Sequence, residues 1–268
     1  MAARRQSAAG SAGHPLVESL VRLAGTADDE SGIDDQLVGI ARLVAEQVAS
    51  VSYASVTAHR RGAFTTVAAS SEIAVAVDEA QYADKLGPCL DVFEVEGPVA
   101  VPDIGVAMRW PGFRETAYRL GLRASLSVPL FAGRGTPVAA LNLYGHDPAA
   151  MALLTTAVWA AYNAHEPGVG DSRQETEETD RGSADLVAGL AEAFAIRALI
   201  QRAIGIVMAV DHLSVEQAYV ALRLRALRGG ASLPDTATGL ITETERRSAV
   251  HGPADGDPAP PGDDAGLD

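Results

Sequence analysis

Cys89 is the one cysteine in the chain and the first candidate for covalent chemistry. Gly87-Pro88 closes the segment before it, a helical turn can start at the cysteine itself, and Lys85 lies nearby in sequence. A helix start and a close cation both favour the thiolate, the form that reacts with oxidants and ligands. A small residue buried in a turn accounts for the same spacing, so both readings stand. A lone cysteine excludes an internal disulfide and a cysteine-rich zinc site, and it fits a reducing cytosol. The six histidines (His14, His59, His146, His165, His212 and His251) are scattered. They form no i, i+4 pair and no H-x-E motif, so a metal site has no support. No glycine-rich phosphate loop or nucleophile elbow occurs. No catalytic residue and no enzyme activity are therefore expected. Tyr82 and Trp110 can line a small-molecule pocket or fill a core. Arg225 and Arg228 are three apart and share one helical face, with Arg202 and Arg223 close by in the sequence. These cations can meet an anionic partner or solvate a bundle surface, and Glu192, Asp211, Glu216 and Asp235 bring the region near neutral.

The arginines sit in a stretch, Ala193 to Thr242, that reads as three helices. In the first, Ala193, Ile196, Ile200, Ala203, Val207 and Val210 alternate spacings of three and four, and Leu199 and Ile206 widen the stripe. The widened stripe means that two faces must be buried. Gly205 inside this helix marks either the close approach of another helix or a tolerated weak spot. Ser214, followed three residues later by Gln217, is a capping-box pattern opening the second helix. Val215, Ala218, Tyr219, Leu222 and Ala226 form its apolar face, and Gly229-Gly230 ends it. Ser232 can cap the third helix, Pro234 is tolerated in its first turn, and Ala237, Leu240 and Ile241 face inward.

These helices carry RAIGIVMA (202–209), SVEQAYVAL (214–222) and LPDTA (233–237), and in them the stretch resembles the ANTAR domain, an RNA-binding antitermination module. The resemblance implies binding of paired hairpin loops in nascent RNA and prevention of transcription termination. On this reading Arg202, Arg223, Arg225 and Arg228 supply phosphate or loop contacts, Arg225 and Arg228 compensating from one helical face for basic positions the family usually has, and Tyr219 has a core or stacking role. Arg223 stands where the family commonly places arginine. The sequence departs from the family at Ile204, a usual lysine position, at Gly230, Ala231 and Ser232, where a basic-polar turn is usual, and at Pro234, often arginine.

Residues 1–13 read as disordered, and MAARRQSAAGSAGHP lacks the apolar core of a signal peptide. Leu16 to Leu23 and Ile33 to Val48 fit two amphipathic helices. Ala54–His59 and Phe64–Ala69 read as a hairpin across Arg60-Arg61-Gly62, and Leu126–Phe131 and Val138–Tyr144 as a second across AGRGTP. Helices are expected over Ile73–Leu86, from Trp110-Pro111-Gly112 to Leu120 and over Ala149–Ala164, with a helical turn at Cys89–Phe93 and a strand at Pro98–Val101. Paired strands flanked by helices argue for an α+β sandwich around an antiparallel sheet, followed by the all-α three-helix module.

Four segments, DEAQYADKLGPCLDVF (78–93), VAVPDIGVAMRWPGF (99–113), LGLRASLSVPLF (120–131) and PVAALNLYG (137–145), resemble the GAF domain of actinobacterial GAF–ANTAR regulators. The resemblance implies a sensory domain whose pocket over the sheet can take a small molecule, with Tyr82, Cys89 and Trp110 as candidate lining and no cofactor specified. Here Ala83-Asp84-Lys85-Leu86 replaces the usual acidic, glycine-containing turn. A GAF-fold sulfoxide reductase would need resolving cysteines, which this chain lacks.

The expected organisation is a sensory domain over 14–165, an acidic linker over 166–184, an RNA-binding domain over 185–247 and a disordered tail over 248–268. Pro167 and the linker glycines argue against a rigid helical stalk between the domains. The net charge of −14 excludes a general nucleic-acid coat protein, so any RNA must be read by a local patch. No run approaches a membrane span, and the expected protein is a cytoplasmic homodimer joined through apolar helix faces.

Overall fold

The computed structural model describes residues 14–28, 31–60, 62–164 and 180–250. Residues 1–13 and 251–268 of the expected disordered termini, Arg61, His165 and the linker through 179 lie outside them, whereas residues 248–250 of the expected tail are the last turn of a helix. The described elements are α1 (Pro15–Gly25), α2 (Ile33–Gln47), β1 (Tyr53–Arg60), β2 (Ala63–Ala69), α3 (Glu72–Asp84), α4 (Pro88–Val95) and β3 (Val99–Val101). After a 3-10 turn come α5 (Pro111–Arg119), β4 (Ala124–Phe131), β5 (Pro137–Gly145), α6 (Pro148–Asn163), α7 (Arg181–Asp211), α8 (Val215–Gly229) and α9 (Leu233–Val250).

The strands form one sheet in the order β2-β1-β5-β4-β3, with every neighbouring pair antiparallel. Alternation along each strand gives the sheet two unlike faces. Ala54 and Val56 of β1, Leu126 and Val128 of β4, and Leu141 and Leu143 of β5 share one apolar cluster with residues of α1, α2, α6 and α7. The intervening residues, Ser55, Thr57, Ser125, Ser127, Asn142 and Tyr144, are buried as well, and α3, α4 and α5 cover this side. The architecture is thus the expected α+β sandwich followed by a helical module.

Helix α7 joins the two parts. Leu186, Leu190 and Phe194 belong to the core under the sheet, whereas Ile200, Ala203, Ile204 and Val207 belong to a second core with α8 and α9. Residues 195–199 between them are half-buried. The two buried faces expected of this helix are therefore two ends serving two cores. α7 begins at Arg181, inside the stretch read as linker, and its Gly182 and Ser183 are buried. The residues at which Pro167 and the linker glycines were expected to interrupt a stalk lie outside those described; α6 ends at Asn163, and it is α7 that runs from one core into the other. By length and composition α7 is also apolar enough to cross a bilayer, contrary to the sequence expectation. Its buried apolar residues lie in the chain's own two cores.

Glycine placement decides between two readings. Nothing approaches the Cβ position of Gly205, which is exposed, so this glycine is a tolerated weak spot and not the seat of a second helix. The close approach occurs instead at Gly189, where a Cβ would lie 3.0 Å from Val17 Cα and closer still to the Leu20 side chain. Glycine lets α1 lie directly on α7 at this point.

Helix ends follow the sequence closely. Ser214 Oγ accepts from Gln217 N at 3.3 Å while Ser214 N donates to Gln217 Oε1 at 3.0 Å, completing the capping box of α8. Gly230, with φ of 60°, closes α8, and Ser232 Oγ accepts from Asp235 N at 3.1 Å at the start of α9.

Candidate functional site

Two regions concentrate polar chemistry. The first lies between the polar face of the sheet and α3–α4. Asp78, on α3, is fully buried and accepts hydrogen bonds from Tyr144 Oη (2.6 Å), Thr66 Oγ1 (2.9 Å) and Asn142 Nδ2 (3.3 Å). Asn142 Nδ2 also reaches Thr57 Oγ1 at 2.9 Å and Ser55 Oγ at 3.2 Å. The Tyr82 hydroxyl bridges Thr57 and Thr66 at 2.8 and 2.9 Å. Burial pushes the Asp78 carboxyl up to about 6, although its donors pull the other way. Burial likewise raises the phenols of Tyr82 and Tyr144, with the Asp78 charge adding to both shifts.

Cys89 belongs to the same region. It is fully buried at the start of α4, and its N–H donates to Gln81 Oε1 at 3.0 Å. Burial and the neighbouring Asp78 hold its thiol well above the usual range. The thiolate expected from the helix start is therefore disfavoured, because desolvation outweighs one short helix terminus. Lys85 is exposed in a left-handed turn after α3. Trp110 packs in a separate cluster with Phe113, Val77 and Tyr144, beneath the Arg109 guanidinium at 5.1 Å. The structure thus brings Tyr82 and Cys89 together around Asp78 and sets Trp110 to one side. Asp78, Asn142 and Tyr144 were missed by sequence reasoning. The alternating polar residues of SVT in β1 and LNLY in β5 were the available signal.

The second region is the outer surface of the helical module. Arg202 pairs with Glu245 of α9 at 2.6 Å, and Arg225 with Asp211 of α7 at 3.0 Å. Arg223 lies over the Tyr219 ring at 5.7 Å. Arg228 is exposed, without an ion pair among the described residues. Arg225 and Arg228 share a face of α8, as expected. Arg223 is rotated roughly 160° from Arg225 about the helix axis, so the four arginines do not make one patch. Ile204 is buried in the core of this module, so the position usually basic cannot present a charge here. Tyr219 is a core residue whose hydroxyl leaves the module, donating to Asp28 Oδ1 at 2.9 Å between α1 and α2.

The family model for the GAF domain matches residues 32–161, and that for the ANTAR domain matches residues 188–241. The chain carries a GAF domain followed by an ANTAR domain. No curated protein matches it. GAF domains are sensory modules and ANTAR domains are RNA-binding antitermination modules, so the matched parts are regulatory rather than catalytic. The ANTAR match begins on α7 within the helix that is still part of the GAF core, and the GAF match ends in α6. Helix α1 lies outside both matches, yet it packs on α7 and supplies Leu16, Leu20 and Leu23 to the first core. Among the described residues no group of three or more His, Cys, Asp or Glu could hold a metal ion.

Proposed function

We propose that this chain is a signal-responsive transcription antitermination regulator whose ANTAR domain binds paired hairpin loops in nascent RNA. It acts as a cytoplasmic homodimer, with a sensory part made of residues 14–165 and the first half of α7 and an RNA-binding part made of the rest of α7 with α8 and α9. The observation that carries the reading is a complete, capped α8 that presents Arg225 and Arg228 on one outer face of a packed module. Arg202 and Arg223 supply further phosphate or loop contacts. Pairing with Glu245 and Asp211 leaves Arg202 and Arg225 exposed, so phosphates can compete for them at little cost. In the GAF domain a small-molecule ligand would lie against Tyr82 and Cys89, displacing the Tyr82 hydroxyl from Thr57 and Thr66, with Trp110 outside the site.

The test is binding of labelled paired-hairpin RNA to the full chain and to its Arg225→Glu and Arg228→Glu variants. Each reversal weakens binding and flattens its salt dependence if the residue meets phosphate. Unchanged affinity removes that residue from the contact set. A second reading, a GAF–ANTAR sensor that acts through protein contacts without RNA, is favoured by one observation. Val220, Leu224 and Leu227 form an exposed apolar stripe on α8, which suits a protein partner better than a phosphate backbone.

A further inference from the structure

The outer edge of the ANTAR domain is not free. Tyr219 of α8 extends its hydroxyl to Asp28 Oδ1 and also lies 3.4 Å from Asp28 N. Arg134, in the β4–β5 turn, pairs with the second Asp28 oxygen at 2.9 Å. The same turn is tied to the end of α1 by Gly133 N donating to Thr26 O at 2.7 Å. Gly133 has φ of 58°, and a Cβ there would collide with the Tyr219 hydroxyl. Asp28, Arg134 and Gly133 therefore form a seat for the tip of Tyr219.

What this seat covers matters. A cleft of about 460 Å³ between the domains is lined by Gly25 and Ala27 on one side and by Arg223, Ala231, Ser232 and Leu233 on the other. The Gly25 Cβ position lies 3.3 Å from Pro234. The turn into α9 thus faces the end of α1. Among its residues are three positions, Ala231, Ser232 and Pro234, where the sequence departs from a basic pattern. Arg223 opens into the same cleft. The contact beyond α7 is small and polar, in contrast to the apolar cores on either side of residues 195–199, so it can open without unpacking either domain.

We propose that the seating of Tyr219 on Asp28 and Arg134 is an autoinhibitory clasp that holds Arg223 and the α8–α9 turn against the GAF side, so that RNA binds fully only when the clasp opens. The inference rests on the RNA-binding reading given above. Opening swings α8 and α9 away about the half-buried waist of α7. The apparent affinity is then the intrinsic affinity scaled by the open fraction.

The experiment uses the full chain and its Asp28→Ala and Tyr219→Phe variants. Tyr219→Phe keeps the core ring and removes only the hydroxyl. Amide hydrogen exchange over α8 reports opening, and a labelled pool of paired hairpins with randomised loops reports binding. The clasp predicts faster exchange over α8 and RNA binding tighter by about tenfold in both variants, the effect of one lost charged hydrogen bond. Faster exchange with unchanged or weaker RNA binding overturns the gating. Unchanged exchange in both variants overturns the clasp itself. Faster exchange with no RNA bound by any form overturns the RNA-binding reading and the gating with it, and the silent wild type distinguishes that failure from the first.

Discussion

Replacing Asp78 with asparagine isolates the one buried carboxyl at the centre of the polar network between the sheet and α3. The carboxyl titrates at about 6 in the folded chain against 3.8 for a solvated aspartate, because it is buried. The folded state therefore holds a proton that the unfolded state has released, and stability falls as pH rises through this window. A shift of this size corresponds to about 3 kcal/mol, fully present below about pH 4 and lost above about pH 6. The Asp78→Asn variant has no proton to lose at this position, so it lacks this component while keeping a carbonyl acceptor for Tyr144. Denaturant unfolding of both proteins across about pH 3 to 7 measures it. Subtracting the two curves cancels the other carboxylates, and the remaining difference moves in favour of the variant by about 3 kcal/mol between the two limits. A constant offset across the range refutes the argument, since Asp78 would then titrate alike in both states.

Three further outcomes follow from the packing. Mild peroxide modifies Cys89 in the folded chain more slowly than an unfolded control, read by mass spectrometry; a rate above the control would require an accessible thiolate. Ile204→Lys, which restores the family's usual charge, destabilises the ANTAR core by roughly 3 kcal/mol or more because the ammonium is buried without a partner. Circular dichroism melting checks this, and unchanged stability would place residue 204 at the surface. Arg197→Ala removes bonds to Glu96 Oε2 and Gly135 O, both at 2.9 Å, and stacking over Phe131. Its loss destabilises the chain by about 2 kcal/mol, and hydrogen exchange rises first in the β4–β5 turn and the waist of α7; a uniform rise would refute a local role.

The local rules were legible in the sequence wherever the determinants lie within a few residues. Ser214 and Gln217 mark the start of α8, Gly230 marks its end, and the hairpins follow from alternation around glycine-containing turns. The sequence left matters open where distant segments decide. Gly205 fitted a packing contact and a tolerated weak spot alike and faces solvent, whereas Gly189 receives α1 from the other end of the chain. Cys89 left two readings open in the sequence, and the buried one holds because its environment is set by Asp78, Gln81 and the sheet above them. Asp78 lies beside Glu79 in a helix with no local feature to set it apart; only the strand register brings Thr66, Asn142 and Tyr144 onto it. Asp28 and Tyr219 are 191 residues apart, and no local pattern couples them. The ANTAR arginines could be named from the sequence, but their distribution over opposite sides of α8 needed the helix in place.

Binding of paired-hairpin RNA to the full chain at two salt concentrations tests the central claim most directly. RNA binding through the ANTAR arginines gives measurable affinity at low salt that falls steeply as salt rises, with Arg228→Glu flattening the slope. No binding at low salt by a folded chain, with Asp28→Ala equally silent, would contradict it and direct attention to a protein partner on the Val220, Leu224 and Leu227 stripe.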